Sequence, residues 1–292
     1  MILNKLKTVF LLGALSGILL LIGTLFGGAT GLQIAVIMAL IMNFIAYFFS
    51  ETIVLKLYKA QPLDPEEFKW IYSTVHSLAQ TMSIPSPKLW LIKTPMANAF
   101  ATGRNPRHAS IAITTGILKI LDHDELRGVL AHELSHIKNY DVLISTIAAT
   151  IATAISYLAQ MLQYAAFWQT TTTNDSDSKN RRLNPISMIL IAIITPFVAT
   201  LLQLAISRSR EYLADETGAQ HSHEPLALAS ALQKIHDNTT THQYKSDLLH
   251  EATSSLFIIR PLSARSLNFL FSTHPPVEKR IEKLRKMFNP RF

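Results

Sequence analysis

Charge is absent from three long parts of this chain and dense in two others. Residues 8–50, 142–174 and 183–207 contain no Asp, Glu, Lys or Arg, whereas 51–141 and 208–292 are rich in them. A helix needs about 20 predominantly apolar residues to cross a hydrocarbon core. The first uncharged stretch holds two such lengths, divided at Gly27-Gly28-Ala29-Thr30-Gly31. The pattern predicts helices near 8–27, 32–50, 143–167 and 187–206, paired as two hairpins. A soluble core helix keeps charge on its solvent face, and these four keep none. A cleavable signal peptide behind Lys5 and Lys7 is the competing account of the first segment. An equally apolar segment follows directly, which favours an uncleaved hairpin.

The polar regions show shorter periodicities. Asp64-Pro65-Glu66-Glu67 has a cap residue, a proline at the first helical position and a carboxylate three residues past the cap. Phe68, Ile71, Tyr72, Val75, Leu78, Ala79 and Met82 then fall on one helical face, and Ile84-Pro85-Ser86-Pro87 ends it. Strand-like runs follow at 89–92, 97–102 and 110–114, with a turn at Gly103-Arg104-Asn105-Pro106. Asp122 with Glu125 reads as a capping box that starts a helix through Asn139. Further helices are expected near 208–219, 225–237 and 276–288, while 238–275 has no clear period.

Composition agrees with a membrane protein. Charged residues make up 16% of the chain and hydrophobic ones 49%, against roughly a quarter charged in soluble domains. The net charge of +7 does not indicate nucleic acid, because the two polar regions carry only +1 and +3. The dense basic patch Lys279, Arg280, Lys283, Arg285, Lys286 and Arg291 reads as a solvated helix face or a contact for anionic headgroups. With no cysteine there is neither a disulfide framework nor a thiolate ligand.

The chemistry concentrates in His132-Glu133-Leu134-Ser135-His136. On a helix, positions four apart share a face, so both imidazoles reach one metal and Glu133 lies beside them as a base. A catalytic zinc needs a third protein ligand and an open position. The metzincin continuation fails, with Asn139 and Val142 where Gly and His would stand. The next glutamate after Glu133 is Glu211, in Arg210-Glu211-Tyr212-Leu213-Ala214-Asp215. Glu211 and Asp215 are again four apart, so one can ligate while the other orients a ligand histidine through its far nitrogen. His221 and His223 are rival ligands beyond Gly218, where the helix is expected to end. His136 and Glu211 can meet only if an even number of crossings separates them. Short offsets from Val142 and Ser207 then put the metal about 5–10 Å outside the bilayer.

These residues, in this order, resemble the HtpX family of bacterial membrane zinc endopeptidases, kin to the CAAX prenyl proteases. The resemblance rests on His132-Glu133-x-x-His136 with Asp141, Ser207-Arg208-x-Arg210-Glu211-Tyr212-x-Ala214-Asp215, Asn98-Ala99-Phe100-Ala101-Thr102-Gly103 and Ser272-Thr273-His274-Pro275. It implies one Zn2+ per chain and ATP-independent cleavage of misfolded or damaged membrane proteins. It further implies a bacterial inner-membrane location with the site facing the cytoplasm. Asn98, Ala99, Phe100 and Ala101 resemble the edge strand that pairs with an extended substrate. His274 resembles a residue that faces the zinc and stabilises the oxyanion or caps the metal at rest, and Arg280 one that anchors His274.

The expectation is a mainly α fold: a four-span helical membrane protein with a zincin-like metalloprotease domain containing a small β-sheet. Residues 1–50 form the first transmembrane hairpin and 142–207 the second, with the protease domain split between 51–141 and 208–292. Lys5, Lys7, Lys56 and Lys59 flank the first hairpin on one side, as a cytoplasmic orientation requires. Lys179, Arg181 and Arg182 sit in the loop of the second, leaving a partly embedded hairpin as the alternative to a spanning one. Substrates are unfolded or membrane proteins and the partner is the lipid bilayer, with no nucleic acid. Two other readings are a CAAX-type prenyl endopeptidase and a membrane scaffold with structural zinc.

Overall fold

The two N-terminal apolar segments form one helical element, α1 (Ile2–Leu57), broken at Gly28. This is a computed structural model describing residues 2–152, 208–241, 253, 256–259 and 275–288. Gly28 has φ 55° and ψ −137°, a conformation that a side chain would strain and glycine takes freely. The arms on either side pack closely: Asn43 Nδ2 donates to Ser16 Oγ at 2.8 Å. A Cβ on Gly23 would meet that of Ala35 at 2.5 Å. Among the described residues, Gly28–Leu57 is long and apolar enough to cross a membrane, and Thr8–Leu21 is a shorter apolar helix.

Four strands follow: β1 (Gln61–Pro62), β2 (Lys88–Ile92), β3 (Ala99–Asn105) and β4 (His108–Thr114). The sheet order is β1-β2-β4-β3, with β2 and β4 parallel and the other pairs antiparallel, so β3 is an edge. Successive side chains leave a strand on opposite faces, and both faces are covered here. Ala99, Ala101, Ala109, Ile111 and Ile113 enter the core against the soluble helices. Phe100, Ala112 and Ile92 pack instead with Val54 and Leu55 from the last turns of α1. The helix therefore runs beyond its apolar segment to become one wall of the sheet.

Around the sheet stand α2 (Lys69–Thr81), α3 (Thr115–Ile120), α4 (His123–Lys138), α5 (Asp141–Ala152), α6 (Arg208–Ser222), α7 (Pro225–Thr241) and α8 (Val277–Phe288). The capping box at Asp122 forms in full: Glu125 N donates to Asp122 Oδ1 and Asp122 N to Glu125 Oε2, each at 2.9 Å. Glu125 also accepts from Lys234 Nζ and Ser230 Oγ, each at 2.7 Å, which ties α7 to the start of α4. The expected box at Asp64 does not form. Asp64 Oδ1 accepts Glu66 N at 2.9 Å within a turn, and α2 begins only after Phe68, which makes no side-chain cap. The inward face of α2 is nevertheless the expected one, with Ile71, Val75, Leu78 and Ala79 buried.

α6 also departs from expectation by continuing past Gly218 to Ser222. The glycine is there for contact, not termination: a Cβ would meet His132 N at 2.9 Å and His132 Cα at 3.0 Å. The expected span at 187–206, most of that at 143–167, the loop at 170–184 and His274 lie outside the described residues. α5, the start of the third apolar segment, packs Ile147 and Ile151 against Leu15 and Ala46 of the hairpin.

Gly218→Ala should force α4 and α6 apart and destabilise the protein by about 1–3 kcal/mol. Gly13→Ala, with open space around the site, should leave stability unchanged. Thermal unfolding of both variants in detergent checks this; equal melting temperatures would remove the close-contact account.

Candidate metal centre

α4 presents His132, Glu133 and His136 toward α6, and the Gly218 crossing brings Glu211 down onto them. His132 and His136 Nε2 are 3.2 Å apart. Glu211 Oε2 lies 3.7 Å from the first and Oε1 3.6 Å from the second. Among the described residues these three form the group able to hold a metal. Zinc bonds of about 2.0–2.1 Å in a tetrahedron set neighbouring donors roughly 3.3 Å apart, so the separations fit one zinc ion. The rings meet edge to face at 89°, with both Nε2 atoms turned to the same region.

Each imidazole is backed by a carboxylate, and each carboxylate by an arginine. Asp215 Oδ1 lies 2.9 Å from His132 Nδ1. Arg280 grips Asp215 in a fork, Nε to Oδ2 at 2.7 Å and Nη2 to Oδ1 at 2.6 Å. Its Nη1 donates to Ile258 O at 2.9 Å and lies 3.5 Å from Glu211 Oε2. On the other side, Asp141 Oδ2 is 3.2 Å from His136 Nδ1, with Arg210 Nη1 at 3.9 Å from Asp141 Oδ1. Carboxylates at the far nitrogens direct both Nε2 lone pairs inward, as metal ligation requires.

Asp141 reaches His136 because Tyr140, at φ 61°, turns the chain sharply after α4. A left-handed tyrosine costs about 1–2 kcal/mol, which identifies the turn as one held by its surroundings. The sequence motifs contain Asp141 and Arg210, yet nothing in their spacing assigns them this second carboxylate–arginine pair. A residue five beyond His136 lies off the ligand face of a continuing helix, so only the turn makes the contact.

Burial and charge shape the protonation of the cluster. Burial lowers His132, against the opposing pull of Asp215. Burial acts on His136 in the same sense, but Asp141, Glu211 and Glu133 outweigh it and hold the imidazole at about 9. Burial would raise Asp215, yet Arg280 and His132 keep it below the ordinary carboxylate range. Glu133 is pushed up to about 7 by burial, with Glu211 adding to the rise. Its Oε2 accepts the Ala101 N–H of β3 at 2.8 Å. The cleft around the cluster holds about 40 Å³ and is closed on one side by Leu256, Phe257 and Ile258.

Of the four strand residues, Ala101 reaches the cluster through its N–H to Glu133, whereas Ala99 faces the main core, Phe100 packs on the opposite face of the sheet, and Asn98 Oδ1 accepts Ile258 N at 3.3 Å. Arg280 stands beside the cluster, 3.5 Å from Glu211 Oε2. The rivals are not part of it: His221 sits 2.8 Å from Thr217 O and 3.2 Å from Lys138 Nζ, and His223 lies past the end of α6 at φ 60°.

Two histidines one helical turn apart, a glutamate from a second helix and a carboxylate between them and a strand edge define a zincin-type metallopeptidase. The chain belongs to Peptidase family M48, which it matches over residues 65–288. It is 48% identical over 287 residues to a protein named Protease HtpX homolog from Sulfurihydrogenibium sp. (strain YO3AOP1), covering 97% of this chain and 96% of that one. A Protease HtpX homolog from Aquifex aeolicus (strain VF5) is 49% identical over 269 residues, 92% and 88% of the two chains. The crystal structure of S. mikatae Ste24p shares the fold with a TM-score of 0.52 at 20% identity. That match covers 97% of this chain but only 66% of the longer one, just under two thirds. The protein is accordingly a zinc-dependent membrane metallopeptidase of mainly helical fold with a small mixed sheet.

Asp141→Asn should weaken zinc binding about 10–100-fold by loosening His136, measured by competition with a chromogenic chelator. Arg280→Met leaves Asp215 buried without its fork and should destabilise the fold by about 3–5 kcal/mol. An Arg280→Met protein that melts like wild type would contradict the assigned role.

Proposed function

We propose that this chain is an integral-membrane endopeptidase that cleaves unfolded or damaged membrane proteins from the cytoplasmic side of a bacterial inner membrane. The reading assigns residues 1–50 and 142–207 to the membrane, and 51–141 with 208–292 to one protease domain. His132, His136 and Glu211 hold the metal, Asp215 and Arg280 position its ligands, and Glu133 is the general base. The observation that carries it is the place of Glu133, between the three-ligand cluster and β3, a strand at the edge of the sheet among the described residues.

Zinc held by these ligands supplies Lewis acidity, which acidifies water and polarises a scissile carbonyl. Glu133 takes the proton of the attacking water and returns it to the leaving amine. The Ala101 N–H fixes one carboxylate oxygen and leaves the other for this transfer. A substrate in extended form lies along Asn98–Ala101, adding a strand to the sheet. The far end of that edge is already taken, since Gly103 N donates to Thr146 Oγ1 of α5 at 3.3 Å. A cleft of about 40 Å³ admits a water but no peptide, so binding displaces Leu256 and Phe257.

The orientation follows the basic flanks of the first hairpin, Lys5, Lys7, Lys56 and Lys59. The role in membrane-protein quality control rests on the resemblance to the HtpX family, whose name these relatives carry.

Glu133→Gln should retain one zinc per chain while cleavage of an unfolded model protein falls by about 10²–10⁴. Metal analysis beside a proteolysis assay reads both quantities. Full activity in a zinc-loaded Glu133→Gln protein would sink the mechanism, and cleavage unaffected by a chelator would sink the metallopeptidase reading.

A further inference from the structure

An open groove of about 980 Å³ lies away from the metal, where the protease domain meets the N-terminal hairpin. Its floor is largely apolar and lies near the ends of the uncharged segments: Thr8 and Val9 begin that of the first arm, Tyr47 is three residues short of the end of that of the second, and Leu143 is the second residue of that of α5. Val9 is 68% exposed, a large apolar side chain with no protein covering it. Another part of its wall is basic. Arg104 comes from the end of β3, Arg107 from the β3–β4 turn and Lys138 from the last turn of α4. No carboxylate lines the cavity among the described residues.

We propose that this cavity binds an anionic phospholipid, with the headgroup phosphate at Arg104, Arg107 and Lys138 and an acyl chain along Val9, Tyr47 and Leu143. Three observations commit the site to a lipid. Three cationic side chains and the apolar Val9, Tyr47 and Leu143 line one and the same cavity, matching the two chemistries of headgroup and chain. The floor lies near the residues at which charge disappears from three helices. The Arg104 guanidinium also lies 5.2 Å above the Phe48 ring of the second arm, which holds one cation at headgroup depth. A free phosphate would use the wall and leave the floor bare; a zwitterionic lipid would bring a second cation to a wall already basic.

The site goes beyond the proteolytic reading and does not depend on it. It does have a mechanical consequence, because Arg104 is in the same strand as Ala101, the Glu133 partner. A lipid there anchors the far end of the substrate-pairing edge to the membrane.

The test uses the full chain, delipidated in neutral detergent and titrated with phosphatidylglycerol, phosphatidylcholine or inorganic phosphate. Native mass spectrometry reads retained lipid and thermal unfolding reads stabilisation. Wild type should retain phosphatidylglycerol and melt higher, with phosphatidylcholine and phosphate giving neither effect. R104Q/R107Q should lose retention about tenfold or more, while R104K/R107K restores most of it. K69Q/K119Q, at exposed lysines outside the cavity, should behave as wild type. Equal retention by R104Q/R107Q and wild type would overturn the site. So would equal retention of the two lipids. Stabilisation by phosphate alone would make it a free-anion site and overturn the lipid assignment. If R104Q/R107Q melts low without lipid, the Lys pair decides: retention with its charges kept supports the proposal, and loss despite them rejects it.

Discussion

The close crossing of α4 and α6 is the contact on which the rest of this structure depends. Two imidazoles on one helix cannot complete a zinc site, and the third donor lies 75 residues further along, beyond an uncharged segment. The helices come close enough only because Gly218 lets one backbone touch the other at His132. The same approach sets Asp215 against the far nitrogen of that histidine and Glu211 against the near one. Ligation and orientation of the ligand are thus two results of one packing event. A looser crossing would lose both together.

Charge balance explains why so many ionic groups tolerate burial there. Glu133, Asp141, Glu211 and Asp215 are four buried carboxylates, while Arg280 and Arg210 supply two guanidiniums. With neutral imidazoles the cluster lacks two positive charges, the amount a divalent cation provides. Unpaired buried charge is strongly unfavourable, so the protein groups alone lean toward holding protons instead. His136 is held at about 9 and Glu133 is pushed up to about 7. The two proton affinities and the metal site express the same deficit.

Much of this was legible in the sequence, for identifiable reasons. The i, i+4 histidines, the Asp122 box and the alternation in β3 and β4 are local, and local rules govern them. α6 was harder, because its inward face is Glu211, Ala214, Asp215, Gly218 and Ser222, in helical register but barely apolar. Hydrophobic periodicity is silent on a face selected for chemistry. Gly218 looked like a helix stop for the same reason: a glycine at a crossing and one at a C-terminus read alike without the partner helix. Asp141 was present in a motif but not assignable, since its role depends on the left-handed Tyr140. At Asp64 the signals were present and lost, as the turn at Pro65–Phe68 uses the aspartate before the helix starts.

The N-terminal apolar hairpin is not an appendage to the enzyme. Val54 and Leu55 are buried against the sheet face opposite the zinc helix, and Tyr58 stacks near Phe100, the neighbour of Ala101. Glu51 accepts a hydrogen bond from Ser110 Oγ at 2.7 Å, joining the end of the second arm to β4. α5 leaves the ligand-orienting Asp141, pairs Thr146 with the edge strand, and then packs on the hairpin through Ile147 and Ile151. Among the described residues, the apolar elements α1 and α5 therefore both touch β3 or its sheet. Tight packing transmits displacement instead of absorbing it, so a shift of the hairpin moves the strand on which Glu133 rests. Displacement of the apolar hairpin and geometry at the metal are coupled through that one edge.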